Sequence, residues 1–119
     1  MTKALLIVDH GSKRQEANDM IFDVVSLLEG LSPELIIEAS HMELAEPTIE
    51  EGIHACVQRG ATEIVVQPYM LSPGRHSTSD IPRMVKEISE QYLNISIRVS
   101  SHLGVHTKIA EVLLEKADL

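Results

Sequence analysis

Short, unbroken apolar runs alternate along the chain with stretches in which apolar residues recur every three or four positions. The first run, residues 4–8 (ALLIV), ends at Asp9, His10 and Gly11, which predicts a buried strand entering a tight turn. From Ala17 the positions Met20, Ile21, Val24 and Leu28 keep helical spacing as far as Gly30, and Pro33 follows as a stop signal. The pattern then recurs: a strand over 35–39, a helix opened by Pro47 with Ile49, Ile53, Cys56 and Val57 on one face, and, after Gly60, a strand over 64–66. A long connection over 68–79 leads to a third helix marked by Ile81, Val85, Ile88 and Tyr92. A fourth strand over 95–99 and a final helix carrying Val105, Ile109, Val112 and Leu113 complete the chain.

Strand–helix alternation of this kind predicts an α/β fold, a doubly wound four-stranded parallel sheet with helices on both faces, because parallel neighbours need crossovers and those are right-handed. ALLIV and IVV are apolar throughout, as interior strands are, whereas ISIRV alternates with polar residues and ELIIEA is bracketed by glutamates. The expected order is therefore 2-1-3-4. In that order the winding reverses between the first and third strands, so a ligand is expected in the crevice beyond Val8 and Val66.

Composition narrows the class. A length of 119 residues suits one domain spanning 1–119. With 44% hydrophobic and 24% charged residues the chain has the balance of a globular protein. No apolar run reaches the roughly 18 residues of a membrane span, and the first residues lack a small-residue cleavage site, so the expectation is a cytoplasmic protein without membrane contact. The single Cys56 excludes an internal disulfide and a cysteine-built zinc or iron–sulfur site, and its helical spacing with Ile53 and Val57 places it in the core. A formal charge of −8 argues against duplex nucleic acid as partner and favours divalent cations.

Four of the six histidines, His10, His41, His76 and His102, fall in the segments that follow the four strands and are expected at one edge of the sheet; His54 and His106 fall on helices or their starts. His10 and His76 follow strands expected to be neighbours, and neutral imidazole suits Fe, Co, Ni and Zn ions. Glu43 follows the second strand and could add an oxygen ligand or orient a histidine; the plainer reading is an exposed loop glutamate. The connection PYMLSPGRHSTSD exceeds the usual βα loop, and its Arg75 could meet a substrate carboxylate. DHGSKRQ has the strand–glycine–helix layout of a phosphate cradle but matches neither the P-loop nor GxGxxG. A Ser/His/Asp triad can be assembled from Ser12, Ser72 or Ser77 with these histidines and Asp9 or Asp80, although no serine has the G-x-S-x-G setting.

The segments VDHGSKRQEAN, HMELAEPTIEEGI, PYMLSPGRHSTSDIP and SSHLGVH resemble the sirohydrochlorin chelatases of the class II chelatase family, over nearly the whole chain. DHGS after the first strand together with PGRH after the third is the most specific part of the match. The resemblance implies a lyase that inserts Fe²⁺ or Co²⁺, with Ni²⁺ handled by related members, into sirohydrochlorin without ATP, on the way to sirohaem or cobalamin. It implies no permanently bound cofactor, the metal being substrate. It places metal-binding histidines at His10 and His76 and the acidic site residue at Glu43. Either Glu43 or a histidine free of metal would accept the two pyrrole protons. Ser12, Lys13, Arg14, Arg75 or Arg83 would meet the carboxylates of the tetrapyrrole. Members of this length resemble one half of the longer chelatases, which implies a symmetric homodimer. The added C-terminal cysteines of plant members and the histidine-rich stretch of some archaeal ones are missing from this sequence. Two other classes stay open: a metal- or tetrapyrrole-binding protein without turnover, and a small flavodoxin-like regulatory or hydrolytic domain.

Overall fold

A computed structural model describes residues 2–72 and 74–119, with the side chains of residues 75–79 outside the description. The elements follow one another as β1 (Lys3–Asp9), α1 (Gln15–Leu31), β2 (Ile36–His41), α2 (Ile49–Gln58), β3 (Glu63–Pro68), α3 (Arg75–Ser89), β4 (Ser96–Val99) and α4 (Thr107–Ala117). The strands form a parallel sheet in the order β2-β1-β3-β4, as the apolar and alternating strand patterns predicted.

Side chains of successive strand residues point to opposite faces, and the two faces bury different partners. Ala4, Leu6, Val8, Ile64 and Val66 form the larger core with Ile49, Ile53 and Cys56 of α2 and Ile81, Val85 and Ile88 of α3. Ile7 and Ala39 meet Ile21 of α1 in a much smaller cluster on the other face. Each fully buried Leu or Ile contributes about 1.5–3 kcal/mol, so most of the stability lies on the α2–α3 side. Cys56 is buried there, and desolvation, reinforced by the nearby Glu38 and opposed by Arg59, pushes its thiol up to about 12. The core reading of that residue holds.

Several boundaries differ from expectation: α3 ends at Ser89 and α4 starts at Thr107, so Tyr92 and Val105 lie outside them. The connection after β3 is shorter than the Gly/Pro/Ser-rich composition suggested, because α3 already starts at Arg75; Pro82 lies inside this helix, where its missing N–H leaves one carbonyl of the preceding turn without a helical donor. β2 runs on to His41, two residues beyond the apolar stretch. α2 begins at a capping box in which the Thr48 hydroxyl accepts from Glu51 N–H (3.1 Å) and the Glu51 carboxylate accepts from Thr48 N–H (2.8 Å). The Glu46–Pro47 peptide bond before it is cis. Among the described residues no helix is long and apolar enough to cross a membrane.

Candidate functional site

The four parallel strands end at one edge, and backbone hydrogen bonds stitch the loops beyond them together. Met42 N–H donates to Asp9 (2.8 Å) and Glu43 N–H to His10 (3.1 Å), which prolongs the β1–β2 ladder past both strand ends. Tyr69 N–H donates to Val8 (2.7 Å), while Leu103 and Gly104 donate to Met70 and Leu71 (2.8 Å each). Residues 9–12, 42–46, 69–72 and 100–104 therefore form one continuous rim over the switch point between β1 and β3.

His10 and Glu43 are brought side by side by this stitching, and both are exposed. Gly11 makes the approach possible. Its φ of +89° is open to glycine at no steric cost, and a Cβ there would overlap the Glu43 carbonyl oxygen and lie 3.2 Å from the His41 Cβ. The turn is then clasped to α1 by Asn18, which is buried: its Oδ1 accepts from Ser12 N–H (2.9 Å) and its Nδ2 donates to the Ser12 carbonyl (2.8 Å). This clasp stands in for a side-chain cap, which Arg14 at the N-cap of α1 does not provide.

Two shallow cavities flank the turn and share Ser12 and Asn18. One, of about 330 Å³, is lined by His10 with Asp9, Met20, Ile21 and Tyr69. The other, of about 530 Å³, is lined by Glu43 with Lys13, Gln15, Leu44, Glu46 and Thr48. His10 and Glu43 thus stand on the wall between two spaces, one partly apolar and one polar.

The remaining sequence-derived candidates divide. Lys13 borders the polar cavity with its ammonium exposed. Arg14 pairs with Glu16 at 3.2 Å on the open surface, an arrangement worth little in energy. Ser12 accepts from Arg14 N–H through its hydroxyl (3.0 Å), so its resting role is to shape the turn. Arg83 is engaged along α3 with Asp80 (3.4 Å) and Glu87 (3.8 Å). Arg75 and His76 fall in the first turn of α3, at the same edge as β3's end, but their side chains, like that of Ser77, lie outside the described residues. Among the described residues no three His, Cys, Asp or Glu side chains cluster closely enough to hold a metal.

His41 departs from expectation. Far from opening into the crevice, it is the last residue of β2, its side chain wholly buried, with Nδ1 2.6 Å from Asp9 Oδ1 and Nε2 without a hydrogen-bond partner among the described residues. Phe22 of α1 packs edge-on against it, with ring centroids 6.3 Å apart. Asp9 and His41 are register partners across β1 and β2, so a reading that combined strand order with register would have found the pair. His106 caps α4 by accepting from Lys108 N–H (3.1 Å), and His54 meets the Tyr92 hydroxyl (3.0 Å). Of the parts of the hydrolase alternative, Asp9 is committed to a buried histidine and the Ser12 hydroxyl accepts from a backbone amide, while the Ser77 side chain lies outside the described residues.

The structure is a small α/β protein with an open parallel sheet, in which His10 and Glu43 are held together past the strand ends at the switch point, the place where sheets of this kind bind ligands. The CbiX family model matches residues 4–118, and the chain belongs to that family. It is 38% identical over 112 residues to the chloroplastic sirohydrochlorin ferrochelatase of Arabidopsis thaliana, a match covering 94% of this chain and 50% of that one. It is 34% identical to the sirohydrochlorin cobaltochelatase of Sulfolobus acidocaldarius, covering 96% of this chain and 89% of the relative. Among solved structures, the sirohydrochlorin chelatase SirB from Bacillus subtilis subspecies spizizenii in complex with cobalt superposes with a TM-score of 0.90 at 30% identity, over 99% of this chain and 50% of that one. The chain spans about half the length of several curated relatives that it matches.

Proposed function

We propose that this chain is a sirohydrochlorin chelatase, a lyase that places Fe²⁺ or Co²⁺ in the macrocycle without ATP. The observation that carries the reading is the backbone lock between His10 and Glu43, made at a glycine turn in a chain that belongs to the CbiX family. His10, with His76 from the first turn of α3, holds the incoming ion. Two imidazoles leave an open coordination shell, which favours release to a tetrapyrrole over storage. Glu43, 3.1 Å from His10 through the backbone and facing a polar cavity, accepts pyrrole protons as the metal enters. Lys13 at the same cavity, and Arg75 entering α3, are the cations available to the substrate carboxylates. The reading includes a homodimer, in which a second copy supplies what the other half supplies in relatives of twice this length. It also includes a cytoplasmic location, in keeping with a single buried thiol.

The test is an anaerobic absorbance assay of sirohydrochlorin with Fe²⁺ or Co²⁺ at substoichiometric protein, comparing the wild type with His10→Ala, His76→Ala and Glu43→Gln. Multiple turnovers in the wild type that are lost in the histidine variants support the assignment. A wild-type rate equal to that without protein refutes it, and one stoichiometric equivalent of bound metal would then identify a carrier.

A further inference from the structure

β1 and β2 end side by side in an aspartate and a histidine. Side chains alternate along a strand, so Asp9 follows Ile7 and His41 follows Ala39 onto the face that packs against Ile21 of α1. His41 is wholly buried there, and its Nδ1 lies 2.6 Å from Asp9 Oδ1. A carboxylate oxygen only accepts, so the proton of this bond sits on Nδ1 and the imidazole donates.

Histidine is an unfavourable choice for a core position of this kind. Its Nε2 has no hydrogen-bond partner among the described residues, and a buried polar atom left unpaired destabilises a fold. An apolar ring of similar size would pack against Phe22 without that penalty. What imidazole adds over such a ring is one donor, the Nδ1–H, and that donor is used on Asp9. The pair therefore fixes a carboxylate more than it strengthens the core.

Asp9 opens on the candidate site. Its side chain keeps 22% of its surface accessible, and it lines the cavity of about 330 Å³ beside His10. Among the described residues lining that cavity Asp9 carries the only carboxylate, since Glu43 faces the polar cavity across the wall. Asn18 borders the same space, but both ends of its amide are bound to Ser12. With Oδ1 held by His41, Asp9 brings one further acceptor to the cavity that His10 lines: Oδ2, which is not sealed from solvent.

We infer that Asp9 is a further residue of this site, one that holds the water shell of the incoming divalent ion, and that His41 is the positioning residue that aims it. The inference deepens the proposed function and rests on its assignment of His10 as a metal ligand. A divalent ion held by one or two imidazoles keeps several of its water molecules, whose hydrogens the ion polarises strongly. A carboxylate oxygen beside those waters accepts their hydrogens and adds an attraction of charge that the neutral Asn18 and Ser12 cannot supply. Among the described residues no three His, Cys, Asp or Glu side chains come close enough to hold an ion, so Asp9 reaches it through water and not as a ligand. Such a hold keeps the ion at His10 without a bond that the macrocycle would have to break. Without the Nδ1–H of His41, the carboxylate is free to turn away from the cavity.

Anaerobic calorimetric titration of the whole chain with Co²⁺ tests this, with the visible absorption bands of the bound ion and urea unfolding recorded in parallel. Asp9→Asn keeps an acceptor for the His41 Nδ1–H and removes the charge. His41→Phe keeps a ring and removes the donor, while His41→Asn places an amide N–H where Nδ1 lies. The expected result is a Kd for Co²⁺ raised about ten- to a hundredfold in Asp9→Asn and His41→Phe, and largely restored in His41→Asn. The bands of bound Co²⁺ should keep their wild-type positions throughout. His41→Phe, which fills the core, should also have the higher urea midpoint of the two His41 variants and yet bind the ion more weakly, a reversal that a purely structural role does not produce. Should His41→Phe not fold, Asp9→Asn decides alone. Wild-type affinity in Asp9→Asn, or an affinity that follows the urea midpoint from variant to variant, overturns the inference. Shifted bands in Asp9→Asn make Asp9 a direct ligand and overturn it as well. Sirohydrochlorin turnover is read separately: its absence alongside Asp9-dependent Co²⁺ binding refutes the chelatase and leaves the role of Asp9 standing, and a wild type that binds no Co²⁺ sinks both.

Discussion

Replacing Gly11 by Ala puts a methyl group where the Glu43 carbonyl oxygen already lies. Two costs arise and can be separated. The first is conformational: a φ of +89° penalises an L side chain by about 1–2 kcal/mol, partly offset by the roughly 0.4–1 kcal/mol that alanine gains by restricting the unfolded chain. The second is steric. The Glu43 carbonyl is backbone and cannot swing aside, so relief requires the 42–46 loop to withdraw, with loss of the Glu43 N–H to His10 hydrogen bond, itself worth about 1 kcal/mol. Gly60 supplies the control, since its φ is +98° but nothing lies within 4 Å of an added Cβ. Gly60→Ala should therefore lose about 1 kcal/mol and Gly11→Ala about 2–4 kcal/mol, a difference to be read as a lower urea midpoint with unchanged slope. Co²⁺ affinity should fall in Gly11→Ala and stay level in Gly60→Ala. Equal destabilisation by the two substitutions would refute the claim that Gly11 exists to let Glu43 approach His10.

Three further predictions follow from the same geometry. Asn18→Ala removes both bonds to Ser12 and strands a backbone N–H in partly buried surroundings, so it should cost about 2–3 kcal/mol in urea unfolding; Asn18→Asp should recover part, since its carboxylate still accepts from Ser12 N–H. Thr48→Ala opens the capping box of α2 and should cost about 1 kcal/mol, while Thr48→Ser should cost much less. With its thiol pushed up to about 12, Cys56 should react with a thiol reagent only on unfolding. Because the folded state disfavours the thiolate, its contribution to stability is complete below the ordinary value of 9.0 and declines as the pH rises toward 12; a Cys56→Ala variant with the same alkaline decline as wild type would contradict this.

The sheet and its strand order were legible in the pattern of apolar residues alone. The unbroken apolar runs at 4–8 and 64–66 read as interior strands, and the glutamates around 35–39 and the alternation over 95–99 mark edges, which is the order observed. From that order the switch point follows, and with it the neighbourhood of His10 and Glu43. The sequence could not show which polar groups the rim would bury. His41 reads like the other strand-end histidines until register sets it opposite Asp9 and α1 lowers Phe22 onto it, both of which depend on chain segments far apart. Asn18 likewise looks like an ordinary polar helix residue, and only the path of the Ser12 turn turns it into a clasp. The last helix shows the limit most clearly. Its apolar spacing predicted a helix correctly, but spacing determines only that a face must be buried, and the choice of what buries it belongs to the three-dimensional arrangement, where its own sheet leaves it uncovered.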